Sequence, residues 1–235
     1  MSALIRHLPV GVSTTALALA WARQESAPEG ATVLLDHEVS PLGWRGVLWP
    51  VAPRDTLSLA VVLRPVVSLD RVDVLWAMTV AAVALFVAGS GGVAARTWWP
   101  DRVIGPEGGA VAGVKLETVL GPGMVRAAVV AVRIDLPAAG LDIADRVSLA
   151  TSFGPVLVAA SEEAVTDPED AAGRYSAGSA TVGRRVRALL LPRGEARGQA
   201  AAIDAEGRLA IASSTGMRES LPIDLVGRVE DLDAL

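Results

Sequence analysis

The sequence has no cysteine, two histidines, one tyrosine, two phenylalanines and a single lysine, Lys115, in 235 residues. Without cysteine there is no disulfide, no thiolate metal ligand and no acyl thioester carried by the protein itself. His7 and His37 alone make a histidine metal cage or a Ser-His-Asp triad an unpromising expectation, and no metal site is predicted. Aromatics reach only 4%, too few for base stacking, and a net charge of -5 gives no general attraction to phosphate backbones, so nucleic acid is not an expected partner. Uninterrupted apolar runs long enough for a bilayer are also missing. Arg6 and His7 followed by "LPVGVSTTALALAWA" imitate a signal peptide, but Pro9, Gly11 and Ser13-Thr14-Thr15 break the stretch. "VLWAMTVAAVALFVAG", Val74 to Gly89, falls short of about 20 residues and ends in Ser90-Gly91-Gly92, which predicts a buried helix. A cytoplasmic chain with no membrane partner is therefore expected.

What is present is apolar: 51% of residues, against 20% charged. That balance buries a substantial core, and the length suits a main domain with a small appendage. Ser13 or Thr14 is a good N-cap for a helix through "ALALAWARQ". "ATVLLDHEVS" reads as a buried strand, "PLGWRGVLWP" as a loop and "DTLSLAVVLRP" as a strand, followed by the apolar helix from about Leu69 to Ala88. Strands follow near Ala94 to Trp98, from Ala110 to Leu120 and over "MVRAAVVAVRIDL", the last two joined through Gly121-Pro122-Gly123. Leu141 to Ala180 carries a weaker pattern, with "SEEAVTDPEDAAG" as helix or loop. From Gly183 onward, short apolar runs alternate with Gly-containing turns about every ten residues, the texture of a small β-barrel.

Several strings, in collinear order over nearly the whole chain, resemble the biotin/lipoate protein ligase family. "VSTTALA" resembles its Asp-Ser-Thr-Asn helix entry, "LDHEVSPLGWRGVLW" its glycine-arginine-rich ligand loop and "TWWPDRV" its Lys-Trp-Pro-Asn-Asp motif. "AVAGVKLE" resembles Lys-Leu-Ala-Gly-Ile-Leu-Val-Glu, "VAVRIDL" resembles Gly-Ile-Gly-Leu-Asn-Val, and "TVGRRVRALL" with "GQAAAIDAEGRLAI" the SH3-like C-terminal domain. The resemblance implies an α+β fold, a mixed sheet packed with helices of the class II synthetase and biotin ligase kind, over residues 1–180, plus an SH3-like β-barrel over 183–235. It also implies biotin, lipoate or an acyl carboxylate as ligand, and leaves room for a carrier protein as partner.

The departures bear on activity. Such ligases join a carboxylate to ATP, and cations must neutralise both oxyanions as the bond forms. Leu42 and Trp44 stand at the loop arginines, Trp98 at the lysine before Trp-Pro and Ala110 at the essential lysine, while Pro41 replaces a loop glycine. Asp101, Arg102 and Asp135 replace Asn, Asp and Asn. No catalytic residue is assigned. The retained frame supplies the ligand-binding candidates: Ser13, Thr14, Glu38, Gly43, Arg45, Trp49, Trp99, Gly113 and Lys115, with His37 beside Glu38. Each also has a structural reading. Ser13 and Thr14 cap a helix, Trp49 and Trp99 fill core volume, Gly113 lets strands approach, and Arg45 is a solvated arginine. Lys115 shares a strand face with Gly113 and points either into a pocket, with Glu38 or a bound acid as its partner, or with its amine into water. Three functions compete: a ligase-like protein that binds a carboxylate without standard adenylation, an active ligase with relocated groups, and a partner-binding scaffold with no small-molecule site.

Overall fold

The protein is described by a computed structural model over residues 4–234. Its strands are β1 (Ile5–Gly11), β2 (Thr32–Glu38), β3 (Thr56–Leu63), β4 (Val67–Ser68), β5 (Arg96–Trp98), β6 (Arg102–Ile104), β7 (Ala110–Gly121) and β8 (Met124–Asp135), followed by β9 (Arg185–Leu190), β10 (Glu195–Ile203), β11 (Leu209–Ala212), β12 (Arg218–Leu221) and β13 (Val226–Asp231). Its helices are α1 (Thr14–Gln24), α2 (Val72–Gly91), α3 (Arg146–Thr166) and α4 (Pro168–Gly178). The main sheet has the order β1-β2-β3-β8-β7-β6-β5, with β4 beside β8, and β9 to β13 form a second sheet ordered β12-β11-β10-β9-β13. Only β1 and β2 run parallel in the main sheet, so it is mixed, as the resemblance implies.

Alternation along the central strands sorts the side chains onto two faces. Val33, Leu35, Ala60, Val62, Val129 and Ala131 pack under α1. Leu34, Leu59, Val61, Val114, Val130 and Val132 pack under α2 and α3. Sandwiching explains why α2 is so apolar: covered by the sheet on one side and by α3 and α4 on the other, it buries two thirds of a segment with mean hydropathy 2.0 that is long enough to cross a membrane.

The first helix begins where expected, Ser13 being the N-cap with its hydroxyl accepting from Ala16 N–H at 3.3 Å. The stretch that imitated a signal peptide is instead split between the edge strand β1 and α1. β6 was not visible as a separate strand in the sequence; its three residues pair with β5 and β7.

The two sheets share one continuous hydrophobic core that runs from Leu57 and Val132 to Val186, Leu209 and Ile223. Polar contacts close the joint. The carboxylate of Asp73 accepts from Ile223 N–H at 3.1 Å, and the Trp99 indole donates to the Gly207 carbonyl at 3.1 Å. Gly207 has φ +83°, and a Cβ there would lie 2.5 Å from the Asp73 backbone, so only glycine lets this turn meet the start of α2.

Candidate functional site

The end of β8 places one arginine among small and apolar neighbours. Arg133 follows Ala131 in the alternation and so falls on the α1 face, directly opposite Gly113 of β7 and Ser58 of β3. Its guanidinium donates Nε to Glu38 Oε2 at 2.8 Å and Nη2 to Glu38 Oε1 at 2.7 Å. Thr14 donates to the same Oε1 through its backbone N–H at 2.8 Å and its hydroxyl at 3.0 Å. Both charged side chains are fully buried, with 2% and 0% of their surfaces exposed. A bidentate pair with further donors on the carboxylate is the geometry in which buried charges are compensated.

Four sequence candidates therefore meet here: Thr14 and Glu38 inside the network, Gly113 beneath the guanidinium's strand, and Trp49 over Gly113. A Cβ on Gly113 would lie 3.2 Å from the Trp49 ring, which explains the glycine by close approach. The Trp49 indole N–H is buried without a partner. Ser13 stands at the rim as a cap, and His37 points to solvent. Arg133 was missed by sequence reasoning. Its signal was available, since in the "VAVRIDL" string it occupies the second glycine of Gly-Ile-Gly-Leu-Asn-Val.

Three further candidates have partners within the chain. Trp99 is wholly buried at the joint, its backbone N–H held by the Thr181 hydroxyl at 2.8 Å and its indole by the Gly207 carbonyl. Arg45 is exposed, and its guanidinium donates to the carbonyls of Val226 and Ile223 at 3.0 Å each and of Asp224 at 2.6 Å, tying the loop to the second sheet. Lys115 does not reach Glu38, whose oxygens are taken. Its ammonium lies 2.6 Å from Glu117, two residues along the same strand face, with 22% of its side chain exposed.

The loop that carries Gly43 is a tight turn, with Gly43 N–H bonded to the Val47 carbonyl at 2.8 Å and Leu42 bridged to Leu48. Trp44 packs edge-on against Trp76 of α2, ring centroids 6.3 Å apart. Ala110 lies exposed at the start of β7, and Trp98 is buried. A cleft of about 370 Å³ is lined by Trp44, Arg45, Trp76, Lys115, Asp73 and Asp224, among others. Two carboxyls near the joint are perturbed. Burial pushes Asp73 up to about 6, reinforced by Asp224 and opposed by the Ile223 N–H and Arg208. Burial likewise pushes Asp101 up to about 6 against the opposing charge of Arg102. Among the described residues, no three His, Asp or Glu side chains cluster as metal ligands.

The comparisons with known proteins bear on the fold. Residues 181–222 match the family model of the biotin protein ligase C terminal domain. The whole chain is similar in structure to the biotin protein ligase of Aquifex aeolicus in complex with biotin and ATP, with a TM-score of 0.74, 14% identity, and 97% of this chain and 99% of that one covered. It is similar to a biotin protein ligase-like protein of unknown function from a Silicibacter species, with a TM-score of 0.69, 14% identity and 94% of each chain covered. A third similar structure is the biotin acetyl coenzyme A carboxylase synthetase of Helicobacter pylori with bound biotinylated ATP, with a TM-score of 0.63, 14% identity, and 92% of this chain and 98% of that one covered. No curated protein matches this chain significantly.

Proposed function

We propose, for a chain that has the biotin protein ligase fold and a segment matching that family's C terminal domain, a ligase-like role in which a biotin-, lipoate- or acyl-type carboxylate is bound but not activated with ATP. The observation that carries this reading is the buried Arg133–Glu38–Thr14 network. Thr14 and Glu38 are the polar groups that the resemblance directs at a ligand, and in this chain they are spent on a guanidinium of the chain itself. Adenylation meanwhile needs cations against a carboxylate and an α-phosphate. Leu42, Trp44, Trp98 and Ala110 stand at the positions the resemblance assigns to them. Losing even one such donor costs about 100- to 1000-fold in rate.

A carboxylate ligand then has to sit outside the filled centre. Lys115 supplies the cation: its present partner, Glu117, is 39% exposed, and a bound acid would displace that carboxylate while its apolar part lies on Trp44 and Trp76.

Acid-dependent pyrophosphate exchange, combined with thermal shift against biotin, lipoate and octanoate with and without ATP, tests the proposal. The expected result is no exchange and a rise in Tm with acid alone that disappears in Lys115→Met. Robust exchange would restore the active-ligase reading, and silence toward every acid would leave a partner-binding scaffold.

A further inference from the structure

The second sheet ends in a strand with a free edge. β13 is the last strand in the order β12-β11-β10-β9-β13, so one of its two sides has no strand beside it. In an antiparallel pair, alternate residues turn their N–H and C=O groups toward the partner strand. Leu232 N–H bonds to the Arg185 carbonyl of β9 at 2.8 Å, which fixes the phase: Arg228 and Glu230 also turn toward β9, and Val229 and Asp231 turn their backbone groups away from it. One end of the free side is closed, because Arg45 donates to the Val226 carbonyl. Beyond that point, among the described residues, no hydrogen bond from outside the sheet reaches the backbone of Val229 or Asp231.

Val229 and Asp231 both line a cleft of about 630 Å³ between β13 and the β5–β6 hairpin, with Trp98 and Ile104 on its opposite wall. Four arginines line the same cleft: Arg102, Arg184, Arg187 and Arg228. Three carboxylates oppose them, Glu107, Glu230 and Asp231, and the charges are not evenly matched. Glu230 serves two arginines at once, Arg187 at 2.8 Å and Arg228 at 3.5 Å. Arg102 reaches Asp101 only at 3.7 Å. Arg184 is exposed and makes no ion pair among the described residues.

A free strand edge beside a surplus of guanidinium groups selects one kind of partner. Edge backbone groups are satisfied by an added strand, whose main-chain bonds give affinity and whose alternate side chains give specificity. Such a strand, paired to β13, presents every second side chain on the face that carries Arg228 and Arg187. Carboxylates are matched there, and ammonium groups are repelled.

We propose that this edge is a docking site for an extended acidic segment of a protein partner, which adds to β13 as the sixth strand of the 5-stranded sheet and sets carboxylates at alternate positions against Arg184 and Arg228. The surface is separate from the Lys115 cleft, and the proposal stands whether or not that cleft takes a carboxylate.

Fluorescence anisotropy with the full chain and a labelled hexapeptide of alternating valine and glutamate provides the test, beside the same peptide with lysine in place of glutamate. The glutamate peptide is expected to bind one per chain and to weaken as salt rises, and the lysine peptide is not expected to bind. Two further versions of the glutamate peptide carry methyl groups on alternate backbone nitrogens, one set each. A strand lying on one edge bonds through a single set, so one version should lose about tenfold in affinity and the other should keep it. Arg184→Glu, at an exposed position, turns an attraction into a repulsion and should weaken the glutamate peptide about three- to tenfold without lowering the Tm of the free protein. The proposal is overturned if the glutamate peptide does not bind, if the lysine peptide binds equally well, if the two methylated versions behave alike, or if Arg184→Glu leaves the affinity unchanged. Binding of inorganic phosphate in place of the peptide would overturn it too, by making the arginines a small-anion site.

Discussion

Two buried polar centres lie on opposite faces of one sheet and are built in opposite ways. Under α1, the Glu38 carboxylate accepts hydrogen bonds from Arg133 and Thr14 and is fully buried. Between α2, α3 and α4, the Tyr175 and Thr97 hydroxyls are buried from solvent with no charged group on them, each having only the other as a close polar neighbour. The first holds Thr14 and Glu38, two of the candidates drawn from the resemblance, and the second holds none. The difference teaches that one sheet can bury polar groups in two ways: charge is tolerated once it is paired within the chain, and neutral hydroxyls are tolerated among small side chains at a smaller cost.

The sharpest way to break this comparison is to remove one member of the filled centre. Arg133→Met strands a buried carboxylate with only Thr14 to serve it, and the expected loss of stability is about 3–5 kcal/mol. Replacing both charges, as Arg133→Met with Glu38→Leu, should restore most of that loss, because the cost lies in the unpaired charge and not in the pair itself. Urea unfolding of the four proteins in the cycle measures this. A single variant that loses less than about 1 kcal/mol would mean that the centre is not dry.

A second carboxylate sharpens the contrast. Asp101 has Arg102 at 3.7 Å instead of a bidentate guanidinium, and burial pushes it up to about 6. In the unfolded chain an aspartate titrates near pH 3.9, about two units lower. Between those values the folded protein binds more protons than the unfolded one, so this group's contribution favours folding below about pH 4, fades as pH rises through 6 and is flat above. Asp101→Asn should remove that part of the slope and stabilise the protein at pH 7.5 by an amount on the order of 2 kcal/mol. Asp73, also pushed up to about 6, titrates in the same window, so the measurement is the difference between wild type and variant at pH 4.5 and 7.5.

Much of the fold was legible because it rests on local signals. The Gly121-Pro122-Gly123 turn announced the β7–β8 hairpin, Ser13 announced α1, and the apolar run after Leu69 announced α2. β1 was hidden because the chain's edge strand is mostly exposed and its apolar residues merge with those of α1 in the one-dimensional pattern. The site was half legible. Thr14, Glu38, Trp49 and Gly113 do come together, but the residue that organises them, Arg133, reads in isolation as the polar face of a strand. Its burial depends on Glu38, 95 residues away, and no local pattern encodes that pairing. Lys115 is the converse case: Glu38 or a bound acid was expected as its partner, and Glu117 was overlooked although alternate strand residues share a face.

The smallest expected effect, at Ser13, comes from the dipeptide that opens α1, where neighbouring hydroxyls belong to different structures. Thr14 lies inside the charged network, and Thr14→Val keeps its shape while removing one of the two hydrogen bonds it gives Glu38; a bond to a charged group predicts a loss of about 1.5–3 kcal/mol. Ser13 lies outside the network and accepts only from Ala16 N–H, so Ser13→Ala should cost about 1 kcal/mol, the worth of an N-cap. The Ser13 variant also separates the two roles the sequence left open. A cap acts on the free protein, lowering its Tm and leaving any rise produced by octanoate, lipoate or biotin unchanged. A ligand contact does the reverse, leaving the free protein nearly unaltered and shrinking the acid-dependent rise. With Ser13 held at the start of α1 and its hydroxyl already engaged, the first pattern is expected in thermal melts of wild type and variant across an acid titration. The second pattern would return Ser13 to the ligand site and place bound acid against the α1 entry instead of beside Lys115.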